Sequence, residues 1–276
     1  AVLIVTDTNG CQGYDTNVVI VDTLPIANFS FTDTICLGDT TFFSDLSVNT
    51  SGNINNWQWN FGDGNTSTDI NPYHIYSNPG TYTVTLTVTD DNLCTHTDTQ
   101  TVIIRPNPIA SFTATTVCVG DTTELISTSI SDSIYANIAG TINSWQWNFG
   151  DGNGYGDDLD IIQHAYTSDG PYLVTLIVTD QYGCDTEVSD SVYVTPGPIA
   201  NFTSDTVCEG DSTTFTDLSQ FTPPLGVEIQ TWLWDFGDGN TSTDQNPTHL
   251  YSNAGVYNAV LIVTDTNGCQ GYDTNV

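Results

Sequence analysis

The chain has 276 residues and a formal net charge of −32, with Arg105 its one basic side chain and no Lys or Met. A field of that sign repels nucleic acid and anionic lipid, which excludes both as partners. No apolar run approaches the ~18 residues that span a bilayer, which excludes direct membrane insertion of this segment. A composition 38% hydrophobic and 11% aromatic, set in strict patterns, excludes a disordered polyanion.

Residues 1–18 read AVLIVTDTNGCQGYDTNV, and residues 259–276 repeat all eighteen at an offset of 258 residues. The chain therefore reads as one 258-residue unit of a tandem array plus an overlap. A smaller repeat lies inside it, with PIANF at Pro25, PIASF at Pro108 and PIANF at Pro198. Residues 1–24 are then the end of a preceding module, with no core of their own. Modules occupy 25–107, 108–197 and 198–276, the third with its last strand cut short. Proline-rich joints, Thr23–Pro25, Arg105–Pro108 and Thr195–Pro198, fix φ and stiffen the connections.

Within the first module, strands are expected near Ala27–Phe31 and Thr40–Asp45. WQWNFGDG, from Trp57 to Gly64, alternates Trp57, Trp59 and Phe61 and then turns on Gly62-Asp63-Gly64. TYTVTLTVTD, from Thr81 to Asp90, points Tyr82, Val84, Leu86 and Val88 one way and its threonines the other, the period of a half-wet strand. A further strand is expected at Asp98–Ile104. Modules two and three repeat the scheme at Trp145–Gly152 with Tyr172, Val174, Leu176 and Val178, and at Trp232–Gly239 with Tyr257, Ala259, Leu261 and Val263. No segment has a helical period. About seven short strands per module predict an all-β chain of immunoglobulin-type antiparallel sandwiches in a string-of-beads array. Alternation places the tryptophans in cores in preference to a sugar platform.

Each module has one early cysteine (CLGD, CVGD, CEGD) and one after its long strand. The expected bridges lie within modules: Cys36–Cys94, Cys118–Cys184 and Cys208–Cys269, with Cys11 partnered upstream. Such usage implies an oxidising compartment. The alternatives are buried free thiols or a zinc site, for which no CxxC or His/Cys spacing is present. His74, His164 and His249 recur once per module and read as turn residues bonded to backbone. With no Ser/His/Asp arrangement and no phosphate-cradling glycine loop, no enzyme is expected.

WQWNFGDG…NPYHIYSNPGTYTVTLTVTD resembles the PKD domain, an immunoglobulin-like sandwich of extracellular proteins, and the likeness spans all three modules. The added cysteines, the CxGD segment and the near-identical large repeat resemble the giant surface adhesins of gliding, type IX-secreting bacteria. Module two departs from the family at Ile161–Tyr166, where IIQHAY replaces NPxHxY, and by an insertion after Gly152. The loops Ser47–Asn56, Ser129–Ser144 and Ser219–Thr231 vary most and are the expected recognition surfaces.

The resemblance implies oxygen ligands for calcium at Asn28, Asn60 and Asp90, at Ser111, Asn148 and Asp180, and at Asn201, Asp235 and Asp265. No other cofactor is required. It also implies O-glycosylation in Asp-Ser/Thr-apolar triplets, at Thr34, Ser133, Ser191 and Thr206. The expected function is a structural or adhesive repeat of a long extracellular, cell-surface filament or adhesin stalk, serving attachment or gliding. Its partners would be neighbouring repeats of the same chain, a surface polysaccharide or other adhesin chains. The alternatives are accessory modules that position a secreted polysaccharide- or protein-degrading enzyme on an insoluble substrate, and a laterally self-assembling fibre.

Overall fold

A computed structural model describes residues 1–32, 35–153, 158–221 and 228–275. The chain is all-β, with a single 3-10 turn at Ser133–Tyr135 among the described residues. A first hairpin pairs β1 (Val2–Thr6) with β2 (Gln12–Thr16). The first full module then comprises β3 (Phe29–Phe31), β4 (Ile35–Cys36), β5 (Thr41–Asp45), β6 (Ile54–Asn60), β7 (Thr66–Ser67), β8 (Tyr73–His74), β9 (Gly80–Asp90) and β10 (Thr95–Arg105). One sheet has the order β4-β10-β9-β6-β7 and the facing sheet the order β3-β5-β8.

The core is the inward set of the period-two strands. Val84, Leu86 and Val88 of β9 are fully buried, with Val102 and Ile104 of β10. They meet Trp59, whose ring takes Phe29 edge-on at 5.2 Å and Phe43 at 5.6 Å. Trp59 Nε1 donates to the Asp69 carbonyl at 2.9 Å, so the buried indole leaves no orphan donor. The wet face is a threonine ladder, with Thr87 and Thr97 hydroxyls 2.8 Å apart across β9 and β10. The strands expected from alternation are present. β9 begins one residue earlier than Thr81, and β10 is longer at both ends than Asp98–Ile104.

Module two repeats the plan, with Val117–Cys118, Asp185–Thr195, Gly170–Asp180 and Ile142–Asn148 in one sheet and Phe112–Ala114, Thr122–Ser127 and Ile161–Ala165 in the other. Leu125 takes the place of Phe43 against Trp147. Module three sets Thr241–Ser242, Ile229–Asp235, Ala259–Asp265 and Gln270–Asn275 against Phe202–Ser204, Thr213–Asp217 and Thr248–His249. The fully buried tryptophans Trp59, Trp147 and Trp234 are core, in agreement with their alternation.

The eighteen repeated residues adopt one hairpin in two environments. In module three Leu261 and Val263 are fully buried; in the first hairpin the same residues, Leu3 and Val5, are more than half exposed. The pairing register is unchanged, Val2 facing Thr16 as Val260 faces Thr274. The same hairpin is thus solvent-exposed at residues 2–16 and packed into a sandwich core in module three.

The expected bridges are corrected. Cys36 is bonded to Cys184 and Cys118 to Cys269, each joining one module's early cysteine to the next module's late one. β4 runs parallel to the end of β10, with Cys36 facing Arg105. Cys94 precedes the start of β10, about 35 Å away at 3.3 Å per residue. A disulfide needs Cα atoms within about 7 Å, so Cys36–Cys94 is excluded by the register itself. Cys118, facing Thr195, stands in the same relation to Cys184. Among the described residues Cys11, Cys94 and Cys208 are free, so Cys208–Cys269 is not formed either.

Candidate functional site: the module junctions

The chain divides into two compact units, Ala1–Asn107 with Ser131–Thr141 and Asp180–Cys184, and Pro108–Ile130 with Ile142–Thr179 and Asp185–Val276. Each disulfide lies inside one unit. In the first, the Cys36–Cys184 bridge sits beside Arg105, whose guanidinium carbon lies 3.4 Å above the Tyr182 ring. The same side chain donates to the Ile138 carbonyl at 2.8 Å, so the one basic residue is spent on binding a ring and a loop. Leu37 N donates to the Arg105 carbonyl at 2.8 Å and Asn107 Nδ2 to the Leu37 carbonyl at 3.4 Å. The loop around Ile138 belongs to the variable segment expected to be a recognition surface; here it is part of the joint. The Ser47–Asn56 loop behaves alike, its Ser51 and Thr50 hydroxyls 2.6 and 3.1 Å from that of Thr23. Residues 222–227, in the third variable loop, lie outside the described residues.

In the second unit, Cys118–Cys269 lies beside Thr195, whose hydroxyl is 3.3 Å from Cys269 Sγ. Backbones approach closely here. A Cβ on Gly271 would stand 2.0 Å from the Pro198 carbonyl oxygen, and one on Gly197 2.9 Å from that of Gln270. Glycine is the residue that permits such contact.

The late cysteines are presented by a buried aspartate. Asp180 Oδ1 accepts from the amides of Tyr182 at 2.8 Å and Cys184 at 2.9 Å, and Asp265 Oδ1 from Asn267 and Cys269 at the same distances. Asp90 does this for Asn92 and Cys94, and its Oδ2 takes Asn49 Nδ2 at 3.1 Å. These carboxylates are turn-holders: Oδ1 of each is bonded to two amides, while Asp265 Oδ2 is buried without a hydrogen-bond partner among the described residues.

The positions named for calcium in modules one and three do not converge. Asp90 faces Ile54 at one end of β6, and Asn60 is the last residue of its other end, roughly 20 Å along. Asp265 and Asp235 are separated likewise by the Ile229–Asp235 strand. Asn60, Asn148 and Asp235 each accept from the amide two residues on, at 2.9, 3.0 and 2.9 Å, in the GDG turn. Ser111 shares its hydroxyl with Thr128 at 2.8 Å, while Asn28 and Asn201 meet Ser47 and Ser219 through their backbones. Six to eight oxygens around one ion are not assembled by the triads of modules one and three. Among the described residues no cluster of three or more His, Cys, Asp or Glu side chains is placed to hold a metal. Of the glycosylation candidates, Ser133, Ser191 and Thr206 are exposed, and Thr34 lies outside the described residues.

The recurring histidines bond a side chain where backbone was expected. His74, His164 and His249 hold the GDG aspartates Asp63, Asp151 and Asp238 at 2.7, 2.7 and 2.8 Å. Each ring stacks on Phe61, Phe149 or Phe236 at 4.3, 3.9 and 4.1 Å and meets Tyr76, Tyr166 or Tyr251 edge-on at 4.6 Å. Burial alone would raise these carboxyls, but bonds from the neighbouring Asn amides and the histidines outweigh it and hold all three below the usual range. The tyrosine hydroxyls donate to the Phe61, Phe149 and Phe236 carbonyls. With its phenol bonded and its ring stacked, the cluster locks a turn to a strand. The signal for it was in the sequence, as a GDG followed by HxY in every module, but only the fold shows which atoms meet.

The PKD domain family profile matches residues 22–104, 105–196 and 195–276. Collagenase ColA of Bacillus cereus is 41% identical over 70 residues, 25% of this chain and 7% of the collagenase. The pre-pro-metalloprotease PrtV of Vibrio cholerae is 41% identical over 91 residues, 31% of this chain and 10% of that protein. This chain thus spans a tenth or less of these curated relatives. The crystal structure of the PKD1 domain of Vibrio cholerae PrtV is 36% identical, covers 30% of this chain and 98% of its own, and has a TM-score of 0.28. Matched by one profile three times in succession, with β-sandwich sheets in each match, the chain belongs to the PKD domain family.

Proposed function

We propose that the chain is a load-bearing, non-catalytic repeat of a long extracellular filament or adhesin stalk at a cell surface. The observation that carries this reading is the pair of disulfides between successive modules. A bridge inside a sandwich stabilises one bead; a bridge from one bead to the next carries tension past the proline joint and keeps a nicked chain together. The 258-residue repeat supports many copies in series. Like charge on every module favours an extended thread with little self-association. The exposed Ser133, Ser191 and Thr206 are available for glycan attachment, and neighbouring repeats are the first partners.

A second reading follows from the names of the relatives: PKD modules here could serve a secreted polymer-degrading enzyme, as parts of proteins called collagenase and metalloprotease. Electron microscopy of the native protein on and off its cells separates the two. A uniform thread many repeats long and rooted at the surface supports the stalk. A short rod ending in a separate globule overturns it in favour of the accessory role.

A further inference from the structure

Two of the free cysteines, Cys94 and Cys208, are held as their bridged counterparts are. Cys94 closes the same aspartate-held hairpin as Cys184 and Cys269, with its amide 2.8 Å from Asp90 Oδ1. The Cys208 carbonyl accepts from the Asp211 amide at 3.0 Å, as Cys36 does from Asp39 and Cys118 from Asp121 at the same distance. Cys208 is exposed and Cys94 half-buried.

Two independent observations say what these thiols face. A groove of about 380 Å³ lies along Cys208, lined by Val207, Phe215, Tyr251, Ala259 and Asn275 among others. In modules one and two the segment carrying the early cysteine pairs in parallel with the end of the module's last strand, Ile35 with Ile104 and Val117 with Val194. Val19 and Val21 follow Cys11 at the same spacing as Val102 and Ile104 follow Cys94, and Val192 and Val194 follow Cys184. Those four residues are at most 3% exposed, whereas Val19 and Val21 are 66% and 89% exposed. Groove and strand are complementary halves of an interface that the chain forms twice elsewhere.

The second observation lies at the other thiol. Asp22 occupies the position of Arg105, and Asn92 that of Tyr182. Arg105 touches Tyr182 beside the Cys36–Cys184 bridge, and Asn92 donates from Nδ2 to Asp22 Oδ2 beside Cys94. The Cys94 hairpin is therefore already docked where a bridge partner registered on Asp22 would stand.

We propose that Val19–Asp22 of one copy of the 258-residue repeat fills the groove beside Cys208 of the preceding copy, and that this Cys208 is bonded to Cys94 of the following copy. Counted along a continuous array the two cysteines are 144 residues apart, beside 148 and 151 for the bridges in the structure. Forming the S–S bond removes a hydrogen from each thiol; the two protons and two electrons pass to a disulfide oxidant, which leaves as a dithiol. Every joint of the array, within and between copies, then carries one bridge. This rests on the tandem array behind the stalk reading.

The test is disulfide mapping of the native full-length protein. It is isolated without reductant, blocked with an alkylating agent, cleaved by an acid-residue-specific protease and chymotrypsin, and read by mass spectrometry. The expected result is a Cys94 peptide linked to a Cys208 peptide, with neither alkylated. Alkylated Cys94 and Cys208, or either cysteine linked within its own module, overturns the proposal. A two-copy chain adds a second arm. Cys208→Ser in its first copy should release one further alkylatable thiol, Cys94 of the second copy, with the other bridges unchanged; no additional thiol there would also overturn it. The mass of the native chain under reduction reads the array separately. A chain of a single copy sinks both readings, and a long chain with free thiols sinks the link alone.

Discussion

Replacing Cys36 with serine removes a bridge that closes 148 residues of chain. In the chain-entropy account a loop of that length restrains the unfolded ensemble by about 5 kcal/mol, and native-state relaxation makes this a ceiling. A domain of this size shifts by roughly 4–8 °C per kcal/mol, so half of that ceiling lowers the melting midpoint of module one by about 10–20 °C. The covalent readout is sharper. Alkylation of the unreduced, denatured 276-residue chain should modify three cysteines, Cys11, Cys94 and Cys208. In Cys36→Ser the fourth modified residue should be Cys184. Pairing within modules instead predicts that Cys11 alone reacts in the parent and that Cys94 is the residue released. Finding Cys94 released, or a melting curve indifferent to the substitution, would refute the reasoning from strand register.

Three further outcomes are expected. Gly62→Ala places a Cβ 2.6 Å from the Thr83 carbonyl oxygen at φ +83°, whereas Gly64→Ala, at φ +98°, meets nothing within 4 Å. Both carry the left-handed penalty of about 1–2 kcal/mol, so chemical denaturation should show Gly62→Ala the costlier by a further ~1 kcal/mol or more. The Asp238 carboxyl is held at about 2, with burial outweighed by His249 and the Asn240 amide. Its folded pKa lies below the unfolded one, so its stabilisation is complete above about pH 4 and is lost as pH falls through about 2. The gap in urea midpoint between the parent and Asp238→Asn at pH 6 should accordingly close by pH 2, and a gap constant with pH would contradict the His249–Asp238 pairing. Because the calcium triads of modules one and three do not converge, a chelator should leave the melting midpoint unchanged within ~1 °C; a large fall would mean that oxygens outside those two triads bind an ion.

Local pattern carried much of the molecule. Alternation in Thr81–Asp90 and Trp57–Phe61 marked the strands and their inward faces, because a half-wet strand must alternate whatever it packs against. The GDG turn was legible because Gly62 and Gly64 permit backbone that other residues resist. The internal repeat marked the three stretches that the PKD profile matches. The histidines were recognised as structural, but their partner was misread, since Asp63 and His74 meet only when β8 is set against the turn after β6.

The sequence by itself determined an all-β class, the three-fold repeat and the composition of each core, since these follow from side-chain period and count. Tertiary structure alone decided which cysteines meet. Cysteine spacing favoured pairs within modules, and nothing local opposes them. The parallel pairing of β4 with the far end of β10 carries Cys36 some 35 Å from Cys94, to the very joint where Cys184 of the next module arrives. A bond that needs Cα atoms about 5–6 Å apart is settled by such long-range register and by nothing a single module can encode.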